Sequence, residues 1–269
     1  MVPLDPAAAR YVRAWLGPPE GPGLLALHHT LVYRPTSVWA DAPRGPRSVL
    51  FVREGDGRIE GFGAGEAGPA VTWLAARRRP FVLHAPEAWL EVLRDRIGPV
   101  DLDTVETWSG PGVKPIRPPG LTSKPAPVAV VTRKLSPADS AAFTAAAPPW
   151  ALRGWRTYAA LMEHGAAFGV PHGPGPALAS LAWVFDRAEK FEAIGVFTVP
   201  RFRRLGLGRA AASALIGEIT RERGHVPIWS SPPENEPSRR LARSLGFSVA
   251  ATETLMRWPS RDAEPETPS

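Results

Sequence analysis

The chain has 269 residues, 44% hydrophobic and 22% charged, with 32 Pro, 25 Gly and no Cys. These values exclude a disordered chain, a fibre or a coiled coil. The lack of Cys excludes disulfides, Cys-ligated zinc, iron–sulfur clusters and a Cys nucleophile. The net charge is +6, and every basic residue except Lys114, Lys124, Lys134 and Lys190 is Arg. The basic residues are scattered and form no basic–aromatic ladder, so no nucleic-acid partner is expected. No stretch approaches about 18 apolar residues and the first 17 residues show no leader pattern, so no membrane partner and a cytoplasmic location are expected.

In chain order, residues 5–16 read as a helix with Pro6 at its first position. Residues 47–53 and 58–63 read as two strands of a hairpin around the turn Glu54-Gly55-Asp56-Gly57. A short strand over 80–84 precedes an amphipathic helix over 86–97, with Trp89, Leu90, Leu93 and Ile97 inward. A strand over 105–109 closes this part. Residues 110–127 hold six Pro and three Gly, which suit neither a helix nor a central strand. The spacing therefore predicts an N-terminal α/β domain over 1–110, a linker over 111–127, a second domain over 128–258 and a polar tail over 259–269.

The second domain opens with a strand over 128–131. Ser136-Pro137-Ala138-Asp139 is a helix start, with Ser as cap, Pro at the first position and an acid in the first turn. Helices are predicted to about 146 and over 153–164, then strands over 177–186 and 191–199. A long helix over 206–223, a strand over 226–230, a short helix over 238–245 ended by Gly246, and a strand over 247–258 complete the order.

The informative segment runs from Val199 to Arg209, between a predicted strand and a predicted helix. It contains R-x-x-G-x-G as Arg203, Gly206 and Gly208. Glycines let a backbone approach a phosphate, and the free N–H groups of a helix start point at it. Arg201, Arg203, Arg204 and Arg209 add positive charge. A basic helix start lying in solvent is the competing reading of these residues alone. A second block follows the next strand: Asn235-x-x-Ser238-x-x-Leu241-Ala242-x-x-Leu245-Gly246-Phe247.

With both blocks the chain resembles the GNAT superfamily of N-acetyltransferases. That family carries V-x-P-x-x-R-x-x-G-x-G/A after its fourth strand and N-x-x-A/S-x-x-L-Y-x-x-x-G-F after its fifth. The resemblance covers 128–258. It is closer to bacterial members of roughly 260 residues, in which an extra N-terminal half precedes the acetyltransferase half. It implies an α/β (α+β) fold with a GNAT-like mixed central sheet flanked by helices. A degenerate GNAT-like copy is one reading of the smaller N-terminal domain.

The resemblance also implies acetyl-CoA as co-substrate, an amine acceptor and no metal. The pyrophosphate would lie on Arg203, Arg204, Leu205, Gly206, Leu207, Gly208 and Arg209, with Asn235 nearby. The pantetheine arm would run along Phe197 and Val199, and the Val199 N–H would polarise the thioester carbonyl. Glu192, on the same strand, is the candidate general base, with an ion-paired Glu as the competing reading. The usual Tyr of the second block is Ala242. Replacing it by Tyr is expected to be tolerated, and Ser238 or Ser244 is a candidate substitute acid. An acyl-CoA sensor without catalysis is the alternative function. His28-His29 reads as part of a packed strand. Trp150, Trp155 and Trp183 line either an acceptor pocket or the core.

Overall fold

Asp5 caps the first helix, its Oδ1 accepting from the Ala8 N–H at 2.6 Å. Pro6 pre-sets the first turn, and the helix runs over Pro6–Leu16 (α1) after a short strand at Val2–Pro3 (β1). This geometry comes from a computed structural model that describes residues 1–17, 22–34, 37–55, 58–110 and 130–259. The expected linker, most of the tail and part of the 54–57 turn lie outside those residues.

The chain continues as α2 (Pro22–Tyr33), β2 (Val38–Ala40), β3 (Ser48–Gly55), β4 (Arg58–Gly65), α3 (Ala67–Arg77), β5 (Phe81–His84), α4 (Trp89–Ile97) and β6 (Asp101–Ser109). It then forms β7 (Arg133–Lys134), α5 (Ser140–Ala146), α6 (Tyr158–His164), β8 (Ala167–Pro171), β9 (Leu178–Ala188) and β10 (Phe191–Thr198). Last come α7 (Leu207–Gly217), β11 (Val226–Ser231), α8 (Glu236–Ser244) and β12 (Ser248–Trp258).

The contacts divide the chain into two compact units, Met1–Glu106 with Ala251–Ser269, and Thr107–Ala250. The sequence places 251–258 in the second domain instead. The pairing explains the difference, because Leu255, Met256, Arg257 and Trp258 lie antiparallel to β5, opposite His84, Leu83, Val82 and Phe81.

The two units repeat one topology. In the first, β1·β2, β2·β3 and β3·β4 are antiparallel and β4·β5 is parallel. In the second, β7·β8, β8·β9 and β9·β10 are antiparallel and β10·β11 is parallel. Both follow the order β-α-α-β-β-β-α-β-α-β. The mixed sheet flanked by helices is therefore present, and it is present twice.

In the first unit the sheet is covered on both faces. Val49 and Phe51 point to a cluster with Val12, Leu27 and Leu31 from α1 and α2. Leu50 and Val52 alternate to the other face, with Val71, Leu74, Trp89 and Leu93 from α3 and α4. Burial on both faces is why β3 reads as a continuous apolar run. In the second unit Trp183 and Trp155 are buried, their indole N–H groups donating to Ala151 O at 2.9 Å and Val184 O at 2.7 Å. Both belong to the core. Gly195 makes room for this, since a Cβ there would stand 2.5 Å from the Trp183 ring. Trp150 lies beside Trp183, with ring centroids 5.5 Å apart.

Several expected elements differ. His28 and His29 are buried in helix α2, not in a strand. That helix is apolar nearly all round, so no helical period shows. The helix expected over 153–164 forms only from Tyr158: Arg156 is left-handed (φ 68°), and Thr157 caps the new start by accepting from Ala160 N at 3.2 Å. The strand expected over 128–131 is found at Arg133–Lys134, with 128 and 129 outside the described residues. Elements β1, α2, β2, α3 and β8 have no counterpart in the sequence reading.

Candidate active site

Strand β10 carries the site. On one side it pairs with β9, with Thr198 opposite Ser180. On the other it pairs with β11 over only Phe191, Glu192 and Ala193, opposite Val226, Pro227 and Ile228. A register shift against β9 at Ala193/Ile194 coincides with the end of that ladder. From Ile194 to Thr198 this edge of β10 has no strand partner among the described residues.

Backbone parity decides which groups that edge presents. The Val199 N–H donates to Ala179 O at 3.0 Å, towards β9. In an antiparallel ladder alternate residues turn their N–H and C=O to the same side. Residues 195, 197 and 199 thus face β9, while Val196 and Thr198 face the open edge. The backbone roles expected of Phe197 and Val199 are corrected by one residue: both are committed to β9. The deciding register, to Ala179, has no local signature in the sequence.

After Thr198 the chain makes a 3-10 turn over Pro200–Phe202. Arg204 (φ 65°) and Gly206 (φ 77°) are both left-handed, and α7 begins at Leu207. The N–H groups of residues 204 to 209 meet no acceptor among the described residues, and the first helical bond runs from Ala210 N to Gly206 O at 3.1 Å. A run of unpaired N–H groups ending in a helix start is a concavity for an anion. Gly208 brings the first turn of α7 onto the end of β10, for a Cβ there would stand 3.0 Å from Thr198 Oγ1.

The cationic side chains surround this loop. Arg201, Arg203, Arg204 and Arg209 are exposed, as is Leu205. The Arg203 Nε donates to Thr198 O at 3.3 Å, and Arg209 Nη2 donates to Ser244 O at 3.3 Å. The Ser180 hydroxyl is buried 2.8 Å from Thr198 Oγ1 and 3.1 Å from Phe197 O, so it fastens the strand end from behind. Nothing in the sequence points to Ser180.

The second block builds α8. Asn235 is its N-cap, with Oδ1 accepting from Ser238 N at 3.3 Å. Ser238 Oγ accepts from Trp229 Nε1 at 3.0 Å, and Ser244 Oγ donates to Leu241 O at 2.8 Å. Ala242 is completely buried, so it faces the core and not an open site. The burial argues against the expectation that Tyr is tolerated there.

Glu192 is also completely buried. Its carboxylate accepts from Arg223 Nη1 at 3.1 Å and lies 2.6 Å from His225 Nδ1, with Arg187 Nε at 3.8 Å. Arg223 in turn donates to Gly165 O at 2.7 Å, after the π-helical turn Glu218–Glu222 that ends α7. Thr198 is six residues on, about 20 Å along a strand. Glu192 is thus an anchor at the far end of β10, and its general-base role is not carried further. Elsewhere in this unit, the Arg133 hydrogen bond holds Asp139 well below the usual carboxylate range, against the effect of burial. Burial pushes Tyr158 up to about 12.

Among the described residues no cluster of His, Asp and Glu has the spacing of a metal site, and no helix is long and apolar enough to cross a membrane.

Fold and loop together are similar to those of GNAT proteins. Residues 132–254 match the family model described as GNAT acetyltransferase. A Streptomyces virginiae protein, described as an uncharacterized N-acetyltransferase, is 29% identical over 247 residues, covering 88% of this chain and 97% of that one. A GCN5-related N-acetyltransferase-like protein from Streptococcus suis superposes with a TM-score of 0.67 at 18% identity, covering 94% of this chain and 98% of that one. A tandem GNAT protein from the clavulanic acid biosynthesis pathway gives 0.59 at 13% identity, covering 94% and 93%. Residues 132–254 thus carry the match to the GNAT acetyltransferase family, and the fold over most of the chain is similar to that of GNAT proteins.

Proposed function

We propose that this protein transfers an acetyl group from acetyl-CoA to a primary amine by direct attack on the thioester. The observation that carries this reading is the run of unpaired N–H groups at 204–209, set directly after the open edge of β10. The diphosphate would lie on those N–H groups, with Arg204 and Arg209 close enough to pair with its oxygens. The pantetheine arm would add to the free edge as a strand adds to a sheet, reading Val196 and Thr198.

In the chemical step the amine nitrogen bonds to the carbonyl carbon and an oxyanion forms. A fixed backbone N–H on the open edge, from Val196 or Thr198, stabilises that charge. The intermediate then expels the CoA thiolate as the C–S bond breaks, and the proton shed by the attacking nitrogen passes through water to that thiolate. An aliphatic thiol has a pKa of roughly 8.5, so the thiolate is a tolerable leaving group. The amine attacks as the free base, and the protein's main contribution is proximity and the oriented donor.

The test is release of free CoA thiol from acetyl-CoA with a panel of primary amines. Amine-dependent release with a matching N-acetyl product supports the reading. Tight acetyl-CoA binding without release from any amine would replace it with a sensor role.

A further inference from the structure

The repeated topology lets the same places be compared in the two units. Strand β4 and helix α3 stand in the first unit where β10 and α7 stand in the second. In the second unit residues 199–206 connect them, and this connection makes the cradle. In the first unit a single residue, Glu66, separates β4 from α3.

That shortening removes the cradle. The Glu66 N–H donates to Arg47 O at 2.8 Å, so it is already satisfied. Gly65 is left-handed (φ 79°) and so close to Arg47 that an added Cβ would stand 2.0 Å from its carbonyl oxygen. The backbone here is locked to β3 and has no concavity. The Glu66 carboxylate sits at the start of α3, 3.6 Å from Arg47 Nη1. That side chain is 57% exposed and makes no hydrogen bond to the helix start, so what is missing here is the phosphate loop itself.

The neighbouring space is filled as well. Trp89, the first residue of α4, is buried to 1% exposure. Its indole lies over Gly63, where a Cβ would stand 2.5 Å from the ring. Its Nε1 donates to Gly65 O at 2.7 Å, the last carbonyl of β4. The passage between the end of β4 and the start of α4 therefore holds an aromatic side chain and an internal hydrogen bond. In the second unit the corresponding helix starts at Glu236, capped by Asn235, which is exposed.

We infer that the chain takes one acyl-CoA, in the C-terminal unit alone, because in the N-terminal unit Trp89 fills the place of the donor's pantetheine arm and the one-residue connection at Glu66 leaves no loop to hold its phosphates. The inference rests on the reading of residues 203–209 as the acyl-CoA cradle. The N-terminal unit keeps the fold and has converted the site into packing. Opening it would require removing the Trp89 indole from the core and lengthening the β4–α3 connection together.

Titration calorimetry with acetyl-CoA on the full chain tests this, using wild type and the double variant Arg204→Glu/Arg209→Glu. Both Arg side chains are exposed, and circular dichroism checks that the variant stays folded. The expected result is one equivalent bound by wild type, with affinity reduced at least tenfold in the variant. Two equivalents, or undiminished binding in the folded variant, would overturn the inference. No binding to wild type at all would instead sink the acyl-CoA reading on which it rests.

Discussion

The Thr198 hydroxyl lies 3.0 Å from the point where a Cβ would stand on Gly208. Strand end and helix start therefore meet at a contact that is tight for any residue carrying a Cβ. In Gly208→Ala the neighbour must give by a few tenths of an ångström, shifting the first N–H groups of α7. Helix stability should not fall, since Ala is favoured over Gly in a helix by about 1 kcal/mol. Acetyl-CoA affinity should fall by about three- to tenfold. Adding Thr198→Ala removes the obstructing oxygen, so the Gly208→Ala penalty should vanish in that background. Additive losses across the cycle would show that this contact does not set the cradle. Gly206 is a poorer test, because its φ of 77° makes a β-branched residue strained even with open space around it.

Glu192 gives the second expectation. Glu192→Gln leaves Arg223 and His225 facing a neutral amide in a buried site. Breaking one partner of a buried pair costs about 3 kcal/mol or more. Urea unfolding should therefore show a clear loss of stability. The acidic limb of the kcat/KM profile for a given amine should stay where it is, because the carboxylate is anchored far from Thr198. A displaced limb at unchanged stability would restore Glu192 as the base.

These two cases also show what could be read in advance. The glycine loop was legible because its demands are local: a left-handed φ at Gly206 and a close approach at Gly208 both call for glycine. Helices α1 and α4 were legible through capping and period. What was missed depends on partners far along the chain. The Trp89 indole bonds a carbonyl 24 residues upstream, and Glu192 meets partners 31 and 33 residues downstream. The parity of Phe197 and Val199 follows from the register against β9. Helix α2 was invisible for another reason, since burial on nearly every side erases the 3.6-residue period.

Ala242→Tyr is the third expectation. Ala242 is completely buried on the inner side of α8, so a phenol there overpacks the core. Such insertions cost about 1–3 kcal/mol, and a change this large falls at the upper end. Thermal unfolding should show a marked drop in Tm with no gain in kcat. A folded variant with a raised kcat would mean that the ring reaches the site after all and that leaving-group protonation limits the reaction.

Asp139 gives a pH-dependent expectation. Its carboxylate accepts from Arg133 Nη2 at 2.6 Å and from Ser136 N at 2.9 Å, closing the turn that starts α5. The Arg133 bond holds its pKa below the unfolded value of 3.8, although burial alone would raise it. A carboxyl depressed by folding contributes stability that is fully present above the unfolded value and is lost as pH falls towards the folded one. Asp139→Asn should therefore cost about 1–2 kcal/mol at pH 7, the usual range for a cap with a charged partner. The difference from wild type should be the same at about pH 6 and narrow below about pH 4, where the unfolded carboxyl begins to bind its proton. Urea unfolding of both proteins across this range decides it. A gap that stays constant down to pH 3 would show that the Arg133–Asp139 pair leaves the folded carboxyl unshifted, and that the cap bond alone holds the turn.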